Sequence, residues 1–548
     1  MAFRFHIFLL PALGMTFKRA FFTVGGLTLA SRATGFLRDV MAANILGAGM
    51  AADAFFVALR LPNLFRRLFA EGVFTISFVP LFTGALEEGK EEARTFAEQA
   101  LALLFAVLLP FTCLMIVIMP WFMHVITPGY ANDAEKFAFA VRLSQITFPY
   151  LMLISLAALL GSVLNAVGRF APYAAAPVAF NLTQLVALFI WQASDREAAV
   201  AQAWAVTVSG AIQLGWLVYS AKRAGWSLRL VRPRLSAKIR RLLVLIGPGA
   251  LGAGVTQVNI FIDMVLASLL PAGAVSYLAY SERLFQLPIG VIGIAVGTAL
   301  LPILSHVVRT AEPAKAHDEQ NRAIEFGLWL ALPAAVALVV IPDAILRVLF
   351  ERGAFTAEVT YYTAWAVSAY ALSIPAYTVS KVLTVAFYAR EDTKSPFKIS
   401  LVTVVLNTLF SLVVITALRH SSHADIAHAG LALSTGITAW LNVALLVRRL
   451  KRAGYFAADR DFMQRIAGVA ASGAAMGLVL WGGVRLLDPW LHGILPVKAA
   501  ALGGLIAVAA VVYLALAHIT GAQRLDEVKK LLRRRQPKDA TPPSAPES

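Results

Sequence analysis

The sequence predicts an all-α polytopic membrane protein of about fourteen transmembrane helices. Three observations predict it. Of 548 residues, 59% are hydrophobic and 14% charged, against about 25% charged in a soluble domain. Apolar runs close to the roughly 20 residues that cross a bilayer recur along the whole chain. Basic residues collect in every second connection between those runs, as the positive-inside rule requires.

The apolar segments lie near 21–46, 53–84, 96–127, 136–166, 173–193, 199–221, 239–270, 274–308, 323–342, 359–389, 397–418, 429–448, 464–486 and 495–519. Several are long enough to tilt, and Pro80, Pro149, Pro248, Pro288 and Pro375 supply kink sites. One basic connection holds Lys222, Arg223, Arg229, Arg232, Arg234, Lys238, Arg240 and Arg241; a second holds Arg448, Arg449, Lys451, Arg452, Arg460 and Arg465. The C-terminal stretch adds Arg524, Lys529, Lys530, Arg533, Arg534, Arg535 and Lys538. The alternate connections carry few cations: Lys136, Arg196, Arg347, Arg352 and Arg419. With an even number of spans this asymmetry places both termini in the cytoplasm. The net charge of +17 therefore meets anionic lipid headgroups rather than nucleic acid. A single Cys113 excludes an intramolecular disulfide.

At the N-terminus, residues 1–14 read as an extension, and Met15-Thr16-Phe17-Lys18-Arg19 as a second start. A weak internal repeat pairs Phe78-Val79-Pro80-Leu81-Phe82 with Leu300-Leu301-Pro302-Ile303-Leu304, and Pro120 with Pro342, at one offset of 222 residues. Pro149 pairs with Pro375, and Arg169–Pro172 with Arg390–Pro396. The expected organisation is two parallel-repeat six-helix lobes with a cavity between them, plus two C-terminal helices. The boundaries are 15–222 for the N-lobe, 223–238 for a basic linker and 239–452 for the C-lobe. Helices thirteen and fourteen take 453–520, and a basic, then Pro/Ser-rich tail takes 521–548.

The chemistry concentrates in residues 32–67. Arg or Asp at a span centre costs about 2.5–3.5 kcal/mol on insertion scales, so such residues face a wet cavity or a partner. Arg32, Gly35 and Asp39 share a helical face. Asp53, Arg60, Asn63, Arg67 and Glu71 follow one stripe of the second helix, with Arg66 to its side and Pro62 disturbing it. The planar, permanently charged Arg fork suits a pyrophosphate, and several cations in one cavity imply an anionic cargo. Asp39 and Asp53 are expected to hold Arg side chains between loads. Snorkelling to headgroups is the alternative for individual cations such as Arg67.

In the second half, Arg283, in Ser281-Glu282-Arg283, is the cation expected to face the first half, with a Glu282 pair as its alternative. Lys381 lies in an apolar helix. Asp263 is a candidate cation or proton site with Asn407, Ser411 and Thr435 as neighbours, or else a buried protonated acid. His420, His423 and His428 have metal-like spacing in a solvated loop, and Asp459-Arg460-Asp461 is a DxD without a nucleotide fold. No P-loop pattern is present, so the expectation is a transporter, without a metal or a resident cofactor.

These residues resemble the MurJ (MviN) lipid II flippase family of the multidrug/oligosaccharidyl-lipid/polysaccharide exporter superfamily. The matching runs are Ser31-Arg32, Gly35-Phe36-x-Arg38-Asp39, Gly47-Ala48-Gly49-Met50-Ala51-x-Asp53-Ala54-Phe55-Phe56-Val57-Ala58, Leu61-Pro62-Asn63-Leu64-x-Arg66-Arg67-x-Phe69-Ala70-Glu71-Gly72, Ile146–Tyr150 and Gly297-Thr298-x-Leu300-Leu301-Pro302. The resemblance covers the chain from Met15. It implies a central cationic cavity and a groove by the last two helices for a polyprenyl tail. It implies functional sensitivity at Arg32, Arg38, Asp39, Asp53, Asn63, Arg66 and Arg283. Arg60 stands where relatives often carry Lys, and Gln286 where some carry Glu. The cargo it implies is lipid II, flipped from the cytoplasmic to the periplasmic leaflet of the bacterial inner membrane by a monomer. Coupling would be to the membrane potential or a monovalent cation, and membrane lipids and cell-wall synthesis proteins are the expected partners. The alternatives are another exporter of the superfamily, moving drugs or polysaccharide lipids, and a membrane glycosyltransferase using Asp459 and Asp461.

Overall fold

A computed structural model describes residues 17–69, 73–191, 194–309, 313–418 and 424–522. The N-terminal extension and second start, Glu71, Arg419, His420, His423 and the basic tail lie outside these residues.

Every expected apolar segment is helical along its described residues, apart from the turns between paired helices. They are α1 (Phe17–Leu46), α2 (Met50–Phe69) with α3 (Val73–Glu88), α4 (Lys90–Ile126), α5 (Ala134–Thr147) with α6 (Tyr150–Ala166), α7 (Ala171–Ile190), and α8 (Asp195–Arg223). The chain continues with α9 (Ala237–Ser268), α10 (Ala274–Arg309), α11 (Pro313–Val340), the short α12 (Pro342–Leu349), and α13 (Ala357–Ala371) with α14 (Ile374–Tyr388). It closes with α15 (Lys394–Leu418), α16 (Ala427–Arg452), α17 (Arg460–Leu491) and α18 (Leu495–Ile519). No strand occurs among the described residues.

By length and composition, 9 of these helices or helix pairs are apolar enough to cross a membrane, among the described residues. The other expected segments coincide with α1, α2–α3, α8, α9 and α10. Four of them carry the charged residues singled out above: Arg32, Arg38 and Asp39 on α1, Asp53 to Arg66 on α2, Asp263 on α9 and Arg283 on α10.

Helix ends follow ordinary capping. Asp133, Ser194, Ser236 and Asp459 accept backbone N–H groups at the starts of α5, α8, α9 and α17. Asp459 takes the Phe462 amide at 2.7 Å, so the DxD pattern is a helix start, which removes the observation behind the glycosyltransferase alternative.

Prolines break some helices and are accommodated in others. Pro149 and Pro375 divide α5 from α6 and α13 from α14, the two sites paired by the repeat. The turns that follow are also alike. Gly168 (φ 76°) ends α6 with Arg169 N–H donating to Leu164 O at 2.8 Å, and Glu391 (φ 61°) ends α14 with Asp392 N–H donating to Phe387 O at 3.1 Å. Both are six-to-one Schellman closures. Asp392 then takes the Ser395 amide at 2.9 Å, and these Ser395 contacts hold its carboxyl below the usual carboxylate range.

Where a helix runs on through a proline, the carbonyl four residues earlier loses its N–H donor. Neighbouring side chains replace it. Thr147 Oγ1 donates to Ala58 O at 2.8 Å below Pro62, Gln145 Nε2 to Ile116 O at 2.9 Å below Pro120, and Tyr513 OH to Trp329 O at 2.9 Å below Pro333. This explains why α2 continues to Phe69 despite Pro62.

Two compact units can be distinguished, one of Met1–Ser281, Leu349–Ala366 and Val404–Ser434, the other of Glu282–Val348, Val367–Thr403 and Thr435–Ser548. In the first, the α1–α2 turn at Gly47 (φ 57°) admits no side chain, because a Cβ there would lie 2.4 Å from Ala354 O. In the second, α17 packs on α11 through Gly473 and Gly477, where a Cβ on Gly473 would meet Leu332 at 2.6 Å. That is the small-xxx-small approach of membrane helices.

Candidate functional site

Arg38 on α1 is buried, with 8% of its surface exposed. Its fork has two anchors. Nε and Nη2 donate to Asp39 Oδ1 at 3.1 and 2.6 Å, and Nη1 donates to Asn181 Oδ1 at 3.0 Å. Asn181 on α7 is held in turn, donating to Ser31 O at 2.9 Å and Thr34 Oγ1 at 3.4 Å. The Arg38 carbon also sits 5.5 Å from the Phe180 ring centre, within cation–π range. Gly35 gives this cluster room, since a Cβ there would lie 3.2 Å from Asn181 Nδ2. Asp39 therefore restrains an Arg, as expected. Arg32, one and a half turns earlier, is exposed.

Asp53 behaves differently from expectation. It is 1% exposed and its carboxylate takes four contacts. Lys136 Nζ donates at 3.0 Å, the Gly273 and Ser276 amides at 2.8 and 2.9 Å, and Ser276 Oγ at 2.7 Å. A carboxylate on the first amides of α10 meets the positive end of the helix dipole. Lys136, which the loop pattern assigned to solvent, is buried at 7% exposure and lies 4.1 Å from the Tyr130 ring centre. Asp53 thus joins α2, α5 and α10 through a Lys instead of holding an Arg. Tyr280 adds a second tie, donating to Gly47 O at 2.8 Å.

Further along α2, Arg60, Asn63 and Arg66 are half-buried and Arg67 is exposed. Asn63 Nδ2 donates to Leu59 O at 2.8 Å. Arg283 begins the part of α10 that belongs to the second unit, and its side chain is exposed. Beside it Glu282 accepts from Gln286 at 2.7 Å. Lys381, on α14, is also exposed.

Asp263 and Asn407 do come together. Asn407 Nδ2 donates to Asp263 Oδ1 at 3.2 Å and to Asn259 Oδ1 at 3.0 Å, and Asn259 donates to Asp263 Oδ2 at 3.2 Å. Ser411 lies one turn beyond Asn407 on α15, fully buried, and its Oγ has no hydrogen-bond partner among the described residues. Thr435 belongs to the second unit. His428 opens α16 with its ring between Asp425 O and Tyr362 O, at 2.9 and 2.8 Å. No group of three His, Cys, Asp or Glu that could hold a metal occurs among the described residues.

Sequence reasoning missed Asn181, Lys136, Ser276 and Asn259. The amide pair Asn181 and Gln184 in an otherwise apolar helix was a usable signal for the first.

A family model described as lipid II flippase MurJ matches residues 42–500. The probable lipid II flippase MurJ of Rhizobium tropici is 40% identical over 534 residues, covering 96% of this chain and 98% of its own. That of Rhizobium meliloti (strain 1021) is 39% identical over 527 residues, covering 95% and 97%. Among solved structures, lipid II flippase MurJ in an inward closed conformation aligns with a TM-score of 0.74 at 24% identity, over 93% of this chain and 99% of that one. An inward-facing multidrug resistance MATE family transporter of the MOP superfamily aligns at 0.59 and 15% identity, over 80% and 96%. The two structural likenesses establish a shared fold. The family model and the identities decide between the related exporters: the chain belongs to the MurJ family of lipid II flippases.

Proposed function

We propose that this chain carries lipid II across the bacterial inner membrane, from the cytoplasmic to the periplasmic leaflet, by alternating access. One observation carries the reading. A buried Arg38 on α1 is held ready on Asp39 and Asn181, in a chain matched along most of its length by lipid II flippases.

The pyrophosphate is the group that Arg forks recognise best. Arg38 exchanges Asp39 and Asn181 for phosphate oxygens, with Arg32, Arg60, Arg66 and Arg283 supplying further charge and Asn63 a neutral donor. Asp53 serves the same cycle as a joint, since its bond to the start of α10 must hold or release when helices move. The lobes at 15–222 and 239–452 rock about the linker, and α17–α18 guide the polyprenyl tail. Both termini are cytoplasmic, the monomer suffices, and cell-wall synthesis proteins are the downstream partners. No covalent chemistry is needed, because cargo shifts the balance of two states by binding one better. The membrane potential biases the return of the cationic cavity by about 2.3 kcal/mol per charge per 100 mV.

A monovalent cation is the candidate co-substrate. Asp263, Asn259, Asn407 and Ser411 offer the oxygen donors that hard cations take. Asn407 would rotate its amide to present oxygen instead of nitrogen.

The test is the outward exposure of lipid II in cells depleted of their own flippase, read by a headgroup-cleaving enzyme added outside. Supplying this chain is expected to restore exposure. Unchanged exposure at normal expression overturns the proposal. For the cation, wild type is expected to gain melting temperature with sodium over potassium and Asp263→Asn to gain none; equal gains remove the site.

A further inference from the structure

An apolar slot in the first unit opens beside a cation and has no place in the transport reading above. It measures about 230 Å³ and lies between α4, α6 and α8, against Leu101, Phe105, Leu156, Leu160, Leu214 and Val218. Its floor is buried at Leu156 and Leu160, while Val218 is 50% exposed at the mouth. A ligand site of drug size runs to about 300–1,000 Å³, so this slot accepts a stretch of hydrocarbon and leaves a headgroup outside.

The end of α8 builds the mouth. Gly225 (φ 79°) turns the chain, and Trp226 N–H donates back to Ala221 O at 2.9 Å. Trp226 is thereby buried, against Phe82 at 5.3 Å and under Lys90 at 5.7 Å between centres. Ser227, Leu228 and Leu230 then run over the slot, and Arg229 N–H is fixed by Glu98 at 3.0 Å. Lys222 lines the same opening and is exposed. The strand of chain that follows alternates exposed Leu230 and Leu235, each 58% exposed, with exposed Arg229, Arg232 and Arg234. That pattern suits a membrane interface, where leucines enter the hydrocarbon and cations meet headgroups.

We propose that this slot holds one acyl chain of an anionic phospholipid, with its phosphate on Lys222. The charge decides the occupant: a zwitterionic lipid would fill the slot equally but gain less from Lys222 and the Arg residues beside it, because cations at a membrane surface attract anionic headgroups. The lipid would bridge α4, α6 and α8 to residues 227–230, within the linker. Its being a lipid of the cytoplasmic leaflet rests on the orientation proposed above, but the binding itself does not.

The test is native mass spectrometry of the purified chain, titrated with phosphatidylglycerol and with phosphatidylcholine of identical chains. Wild type is expected to retain one phosphatidylglycerol about tenfold more tightly than phosphatidylcholine. Lys222→Glu should remove that preference, weakening phosphatidylglycerol more than phosphatidylcholine. Val218→Trp, or the smaller plug Val218→Phe, should weaken both lipids, and Arg452→Glu should weaken neither. The proposal falls if wild type shows no preference, or if Arg452→Glu acts like Lys222→Glu, which would mean diffuse charge. It also falls if both plugs keep wild-type melting and full binding, or if undecaprenyl pyrophosphate displaces phosphatidylglycerol at equal concentration, which would make the slot a cargo-tail site.

Discussion

Asp53 is a residue whose neighbours assign it a mechanical part. A buried carboxylate with four donors is stable only while they stay. Removing one member of a buried pair costs about 3–5 kcal/mol, because the other is left charged and dry. Asp53→Leu is therefore expected to lower stability in detergent by about that amount by stranding Lys136. Lys136→Met should cost less, since Asp53 keeps three donors, and the double variant should be no worse than Asp53→Leu alone. Unfolding midpoints of the three variants check this; additive losses would mean the two residues do not act as a pair. The sequence showed that Asp53 needed a partner, because an unpaired Asp in a span is too costly. It did not show which one. Lys136 is 83 residues away and sits at a helix start, where a lysine ordinarily faces water. Arg38 was half legible for the same reason: Asp39 is its neighbour in sequence, whereas Asn181 lies 143 residues on.

At the scale of elements, periodicity and length were enough to find the helices. What they could not supply is who repairs a proline. A proline in a helix announces which carbonyl will be orphaned, but the donor comes from tertiary packing. Tyr513→Phe keeps the ring and removes the hydroxyl that serves Trp329 O. An unsatisfied buried group costs about 1–3 kcal/mol, so this variant and Thr147→Val should each lose about that much, read from thermal melts. No loss would mean that water or a kink serves the carbonyl instead. Glu391 is the converse case, a non-glycine residue at φ 61° where the like turn after α6 has Gly168. The left-handed conformation costs such a residue about 1–2 kcal/mol. Glu391→Gly should therefore raise stability by up to about 1 kcal/mol after glycine's own entropy loss. A fall in melting temperature would show that the Glu391 side chain does something the turn does not. The adjacent Asp392 contributes with a defined sign. Its carboxyl is held low by Ser395, so its help to α15 is present above the unfolded value and is lost as pH falls through the lowered one.

At the scale of the whole molecule, transport needs charges that are costly in lipid yet restrained when cargo is absent. The charges sit on α1, α2, α9 and α10, and Arg38 and Asp53 are tied to partners on other helices. The composition made the class legible, and the Arg set made an anionic cargo legible. The division of labour between them was not, since it depends on which side chains meet across helices. Asp39 restrains an Arg, whereas Asp53 fastens a helix start. The central claim is that Arg38 is a cargo ligand held on Asp39 and Asn181. It is tested most directly in flippase-depleted cells carrying wild type, Arg38→Ala or Arg38→Lys at matched expression and melting temperature. The quantity read is the fraction of lipid II cut by an enzyme added outside. The account predicts exposure with wild type, near-background exposure with Arg38→Ala, and a partial, at least tenfold reduced rate with Arg38→Lys, which keeps charge but loses the fork. Wild-type exposure with a well-folded Arg38→Ala would contradict it.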